Sequence, residues 1–117
     1  MLVYELPYPP SINRYWRSVA GRMIISSKGR TYRKAVVRRL AAEGARELGG
    51  RLAVKVEVYP PDRRRRDLDN VLKCLLDGLA HGGAYRDDSQ IDRLVVDRCR
   101  ATDGGRIIVK IAERSQP

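Results

Sequence analysis

Leu52-Ala53-Val54-Lys55-Val56-Glu57-Val58-Tyr59 puts Leu52, Val54, Val56 and Val58 on one side of an extended chain and Ala53, Lys55, Glu57 and Tyr59 on the other. A period of two with one apolar side describes a strand that buries one face and leaves the other to water. Beyond it, Leu68, Val71, Leu72, Leu75, Leu76 and Leu79 recur at roughly 100° per residue, which predicts an amphipathic helix over Leu68 to Leu79 packed on the sheet. Towards the N-terminus, Ser26 or Ser27 caps a longer helix running to about Leu48. Tyr32, Val36, Leu40 and Leu48 form its apolar stripe, and Gly49-Gly50 supplies the left-handed residue that ends it. Arg22 to Ile25 reads as a short strand, as does Leu2 to Leu6, which Pro7, Pro9 and Pro10 stop because proline cannot donate to a sheet ladder. Between these two strands a loop carries Ser11 to Arg17.

Towards the C-terminus, Arg93 to Arg100 and Arg106 to Glu113 predict a β-hairpin turned by Thr102-Asp103-Gly104-Gly105, followed by a frayed tail at Ser115-Gln116-Pro117. The fold class is therefore α+β: a small mixed β-sheet with two main helices packed on one face. All of it fits one domain, residues 1–117, because the chain is long enough for one core and too short for two.

Lysine and arginine number 24 against 14 acidic residues, a formal net charge of +10. Such a chain suits a polyanion, and nucleic acid is favoured over a membrane surface because no long apolar run or amphipathic anchor accompanies the charge. The N-terminal Met1-Leu2-Val3-Tyr4-Glu5-Leu6-Pro7 has neither a basic leader nor an apolar stretch of signal-peptide length, which points to the cytoplasm. Cys74 and Cys99 fit no zinc spacing and read as small core or near-core residues in a reducing compartment. His81, the one histidine, reads as a solvated residue of a Gly-rich loop.

The chemistry-bearing segment is Arg63-Arg64-Arg65-Arg66-Asp67-Leu68-Asp69-Asn70, with Asp87-Asp88 about twenty residues on. Carboxylates repel a phosphate backbone unless a divalent cation lies between them, whereas arginines attract it directly. Acid and base together suggest a metal-dependent nuclease site within a DNA-binding surface. The plain alternative is an arginine-rich solvated loop leading to a helix whose N-terminus favours Asp anyway. In a helix Asp67 and Asp69 would lie about 200° apart, so a shared ion requires Asp67 in an extended lead-in and Asp69 at or near the helix N-cap. Lys73 can reach a phosphate or pair with Asp69 or Asp77 as a surface partner. Asp87 and Asp88 follow a flexible turn that can fold a third carboxylate onto the first pair, although Asp-Asp-Ser before a strand is also ordinary turn composition. Three such carboxylates suit Mg²⁺, which binds oxygen at about 2.0–2.1 Å. Arg65 or Arg66 can neutralise the cluster in the absence of metal. Trp16 reads as core packing in preference to stacking on a base.

Pro9-Pro10-Ser11 with Asn13-Arg14-Tyr15-Trp16, then Pro61-Asp62-Arg63-Arg64-Arg65-Arg66-Asp67-Leu68-Asp69-Asn70, then Lys73, Asp77 and Asp87-Asp88-Ser89-Gln90 closely resembles the RusA family of Holliday junction resolvases, from Tyr4 to about Glu113. The resemblance implies that Asp67, Asp69 and Asp88 serve Mg²⁺-dependent cleavage, with Mn²⁺ as a substitute metal and no organic cofactor. It further implies that Lys73 is needed for activity and that Asp87 is an adjacent acidic position and metal ligand. Arg14, Arg17, Arg63, Arg64, Arg65, Arg66 and Lys73 are the expected DNA contacts. Members are homodimers, encoded by bacteria and their phages, that nick two opposed strands of a four-way junction symmetrically. Arg86 and Ala84 depart from the apolar and bulkier residues found in many relatives. The alternatives to a nuclease are a non-catalytic basic DNA-binding module and, more weakly, a basic patch for an acidic protein partner.

Overall fold

The computed structural model describes residues 1–114, and the tail expected at Ser115 to Pro117 lies outside them. In chain order the elements are β1 (Leu2–Leu6), α1 (Ile12–Tyr15), β2 (Trp16–Val19), β3 (Arg22–Ile25), α2 (Ser27–Ala42), β4 (Leu52–Tyr59), α3 (Leu72–His81), β5 (Ile91–Arg98) and β6 (Arg106–Glu113). A 3₁₀ turn at Leu68–Val71 leads into α3, and another at Asp88–Gln90 leads into β5. The main sheet has the order β1-β6-β4-β5, with β4 and β5 parallel and the other pairs antiparallel.

The alternation in β4 determines how this sheet is used. Leu52, Val54, Val56 and Val58 are buried with Ile107, Val109 and Ile111 of β6, against Val36 and Leu40 of α2 and Leu75 and Leu79 of α3. The opposite face carries Lys55, Glu57 and Lys110: Glu57 pairs with Lys55 along β4 and with Lys110 across to β6. This is the expected α+β arrangement, a mixed sheet with its two long helices on one face.

Three expectations need correction. The stretch Arg93 to Glu113 is not a hairpin: β5 runs parallel to β4, and β6 inserts between β1 and β4. The reason is burial, since alternate residues of β6 are buried while β5 is mostly exposed and belongs at the sheet edge. The glycine turn is real, with Gly105 N–H bonded to Thr102 O at 2.8 Å, but the segment also bonds back along β4 through Cys99 N–H to Val58 O and Thr102 N–H to Pro60 O, both 2.8 Å.

Secondly, α2 stops at Ala42, not near Leu48. Gly44, at φ +70°, donates to Ala41 O at 3.2 Å, and Ala45 donates to Leu40 O at 2.9 Å. That is a Schellman ending, which satisfies the last carbonyls as soon as a left-handed residue is available. Leu48 instead bridges to Tyr85. Thirdly, the loop at Ser11 to Arg17 holds α1 and β2, and β2 pairs with β3 through a two-residue turn at Ala20 (φ 51°) and Gly21 (φ 76°). Two positive φ values make this a type I′ turn, whose twist matches an antiparallel hairpin.

Candidate active site

Ser26 caps α2 by accepting from Gly29 N–H at 3.1 Å, and its hydroxyl donates to Arg14 O at 2.5 Å, which ties α1 to the start of α2. This docking brings Tyr15, fully buried in its ring, up against α3. The Tyr15 hydroxyl donates to Asp77 Oδ2 at 3.1 Å and accepts from Arg33 Nε at 3.1 Å. Arg33 also pairs with Asp77 at 3.8 Å, and Lys73 Nζ reaches Asp77 Oδ1 at 3.2 Å. Burial, outweighing the Arg33 bond, pushes the Tyr15 phenol up to about 12, so its hydroxyl remains a donor at neutral pH. Of the two carboxylates the sequence allowed for Lys73, Asp69 and Asp77, it is Asp77 that the ammonium pairs with.

Asp67 has extended backbone (φ −76°, ψ 138°), as a shared ion required, and is itself the N-cap of the 3₁₀ turn. Asp69 lies one step inside that turn and not at the cap. Both are exposed, and neither side chain accepts a hydrogen bond or forms an ion pair with another described residue. The neighbouring arginines do not neutralise them. Arg66 folds back onto Asp62 Oδ1 at 2.6 Å, and Arg64 lies 3.7 Å from the same carboxylate. The Arg66 bond, helped by Arg64 N–H, lowers the Asp62 carboxyl to about 2. Asp67 lines a shallow depression with Arg63, Arg64, Arg65 and Arg98. Arg14 and Arg17 are exposed on α1 and β2, and Trp16 packs edge-on against Tyr15 with ring centroids 5.0 Å apart.

The third carboxylate pair follows a tightly held segment. α3 also ends in a Schellman motif, with Gly83 at φ +85° and Ala84 N–H on Leu79 O at 2.9 Å. Ala84 and Tyr85 are buried, and the Tyr85 hydroxyl donates to Leu76 O at 2.9 Å. Gln90 secures the other side, its amide donating to Leu48 O and Gly50 O while its Oε1 accepts from Asp87 N–H. Arg86 points out to Glu47 at 3.2 Å and leaves this frame undisturbed. Asp87 is occupied with the turn: Ser89 donates to its carboxylate and lowers its pKa, and a capping box joins it to Gln90. Asp88, exposed like Asp87 but with no hydrogen-bond or ion-pair partner for its side chain among the described residues, shares a second depression with Asp77, Asp87, Arg33, His81 and Arg86.

The predicted residues are thus strung along α3: Asp67, Asp69 and Lys73 at its start, Asp77 in its middle, Asp87 and Asp88 beyond its end. Among the described residues, no three His, Cys, Asp or Glu side chains come close enough together to hold one ion. Mg²⁺ does not demand three, since it keeps several waters and binds through one or two carboxylates plus phosphate oxygens. Asp67 and Asp69, hard oxygen donors without a competing partner, fit such an ion. Cys74 is buried in the core beneath the site, its thiol pushed up to about 12 by burial, so it is a packing residue and not a soft ligand. Sequence reasoning did not find the Tyr15–Arg33–Asp77 link. The aromatic and the arginine come from segments whose docking has no local signal.

The family model described as Endodeoxyribonuclease RusA matches residues 7–112. The crossover junction endodeoxyribonuclease of Enterobacteria phage HK97 is 47% identical over 113 residues, covering 94% of this chain and 92% of the relative. The protein of that name from Shigella sonnei (strain Ss046) is 42% identical over 110 residues, 92% of this chain and 91% of its own length. Its counterpart in Escherichia coli (strain K12) is 41% identical over the same shares. With the family model spanning the chain from just after β1 into β6, and relatives of that name 41–47% identical over nine-tenths of the chain, the chain belongs to the RusA family of endodeoxyribonucleases.

Proposed function

We propose that this chain is a structure-selective endodeoxyribonuclease that resolves four-way DNA junctions, working as a homodimer with Mg²⁺ in the cytoplasm of a bacterial cell. The observation that carries this reading is the pair of unneutralised carboxylates, Asp67 and Asp69, exposed beside four arginines on a chain of net charge +10. Relatives of phage and enterobacterial origin named crossover junction endodeoxyribonucleases support it.

Held at these carboxylates, Mg²⁺ would supply Lewis acidity for activating a water and positive charge for the leaving oxygen of the phosphodiester. Asp67 and Asp69 would hold it; Asp88, beyond the other end of α3, would contribute its carboxylate without sharing that ion, and Asp87 keeps the turn in place. Arg63, Arg64 and Arg65, exposed and open to one depression, bind the phosphates on either side of the cut; Arg14 and Arg17 extend that contact. Lys73 donates to the scissile phosphate, and its partner Asp77 keeps the ammonium from swinging away. A two-fold dimer matches the substrate, since two equivalent sites then meet two equivalent strands.

The test is an immobile synthetic junction and a matched linear duplex incubated with the protein in Mg²⁺ or EDTA, with nicks mapped on denaturing gels. Paired symmetric nicks confined to the junction and lost in EDTA are expected. Asp69→Asn should keep junction binding and lose cleavage; normal cutting by that variant would overturn the site assignment. The second reading, a non-catalytic DNA-binding module, draws on the dispersal of the carboxylates along α3. It requires junction binding without cleavage in Mg²⁺ or Mn²⁺.

A further inference from the structure

We propose that the outward face of α2 is a second phosphate-binding surface, on which Arg30, Lys34 and Arg38 hold a duplex arm of the DNA beside the carboxylates. The inference rests on the nuclease reading for the identity of the substrate. Its own basis is the charge of the helix. Residues Ser27–Ala42 include Lys28, Arg30, Arg33, Lys34, Arg38 and Arg39 and no acidic residue. A helix that merely needs a solvated face mixes signs at i,i+4 spacing, because like charges there repel, and it avoids cations in its first turn, where the macrodipole is positive. α2 does neither.

Two of the six basic residues are spoken for by carboxylates, Arg33 by Asp77 and Arg39 by Glu5. Lys34 and Arg38 form no ion pair with any described residue, and the Arg30 guanidinium donates only to Ile25 O at 2.8 Å. All three are exposed. At a spacing of four residues they form one row, each about 6 Å further along the helix axis. The row lines a groove together with Arg33, Val37 and His81. Arg33 and His81 also line the depression that contains Asp77, Asp87 and Asp88. The two depressions therefore adjoin, and a backbone laid along α2 passes next to the acidic end of α3. Charges on the far face of the sheet are different in kind: Lys55 and Lys110 lie against Glu57 and Asp97.

The experiment compares the full chain with K34A/R38A and with K55A/R93A, which removes the same charge from the far face of the sheet. Binding of a short linear duplex is followed by fluorescence anisotropy across a salt series in EDTA. Each phosphate contact contributes about −0.9 to the slope of log Kobs against log salt. K34A/R38A should therefore flatten the slope by about 1.8, while K55A/R93A leaves it near that of the unaltered chain. An unchanged slope for K34A/R38A, or equal flattening by both variants, overturns the proposal. Junction cleavage by the unaltered chain in Mg²⁺ is scored in parallel. Flattening without cleavage retains the α2 surface and overturns the nuclease reading; cleavage without flattening does the reverse.

Discussion

Asp77 accepts from Tyr15, 62 residues away in sequence, and pairs with Lys73 one helical turn before it. A single carboxylate thus joins the N-terminal segment to the start of α3. Asp77→Asn keeps an acceptor for the tyrosine but removes the charge that holds the ammonium. Stability should fall by no more than about 1 kcal/mol, whereas junction cleavage at saturating protein should slow at least tenfold; an unchanged rate would separate Asp77 from Lys73 function. Asp62 gives a prediction of another kind. Its pKa is lowered in the folded chain from 3.8 to about 2 by the Arg66 bond. A lowered carboxylate pKa contributes stability that is present above the unfolded value and is lost as pH falls through the folded one. Urea midpoints should therefore drop between about pH 4 and pH 2 more steeply for the natural chain than for Asp62→Asn. Parallel curves would mean that the Arg66–Asp62 bond does not persist in solution.

At the scale of elements, the approach of α1 to α2 depends on Gly29. Alanine in place of glycine ordinarily favours a helix by about 1 kcal/mol. Here a Cβ would lie 2.9 Å from Tyr15 O and 2.7 Å from Ile25 Cγ2, and the carbonyl is backbone that cannot turn aside. Gly29→Ala should accordingly destabilise by about 1–3 kcal/mol, read from denaturant unfolding, and should reduce cleavage, because Tyr15 and with it Arg33 would shift. A stabilised variant would show that the α1–α2 contact has room for a methyl group. The strand β4 and the helix after it were legible from periodicity alone, because burial of one face is written into every second or every third and fourth residue. The end of α2 was not, since Gly44 and Gly49-Gly50 are equally able to terminate a helix. Nor was the placement of β6, because turn chemistry between two strands is the same whether they pair with each other or with a third.

At the scale of the whole molecule, a two-fold arrangement is what would give paired nicks in opposed strands. Light scattering on the eluted protein should give twice the mass of one chain, and a monomer at the concentrations that cut junctions would remove the two-site account of paired nicks. The sequence by itself determined the α+β class and the basic charge, and singled out the acidic residues as candidates, because hydrophobic period, net charge and side-chain chemistry are local properties. Only the tertiary structure decided which strands are neighbours, that the carboxylates are spread along α3, and that Asp77 gathers Tyr15, Arg33 and Lys73. Those are contacts between segments far apart in the chain, and their selection depends on which surfaces bury each other best, a choice that no single stretch of residues encodes.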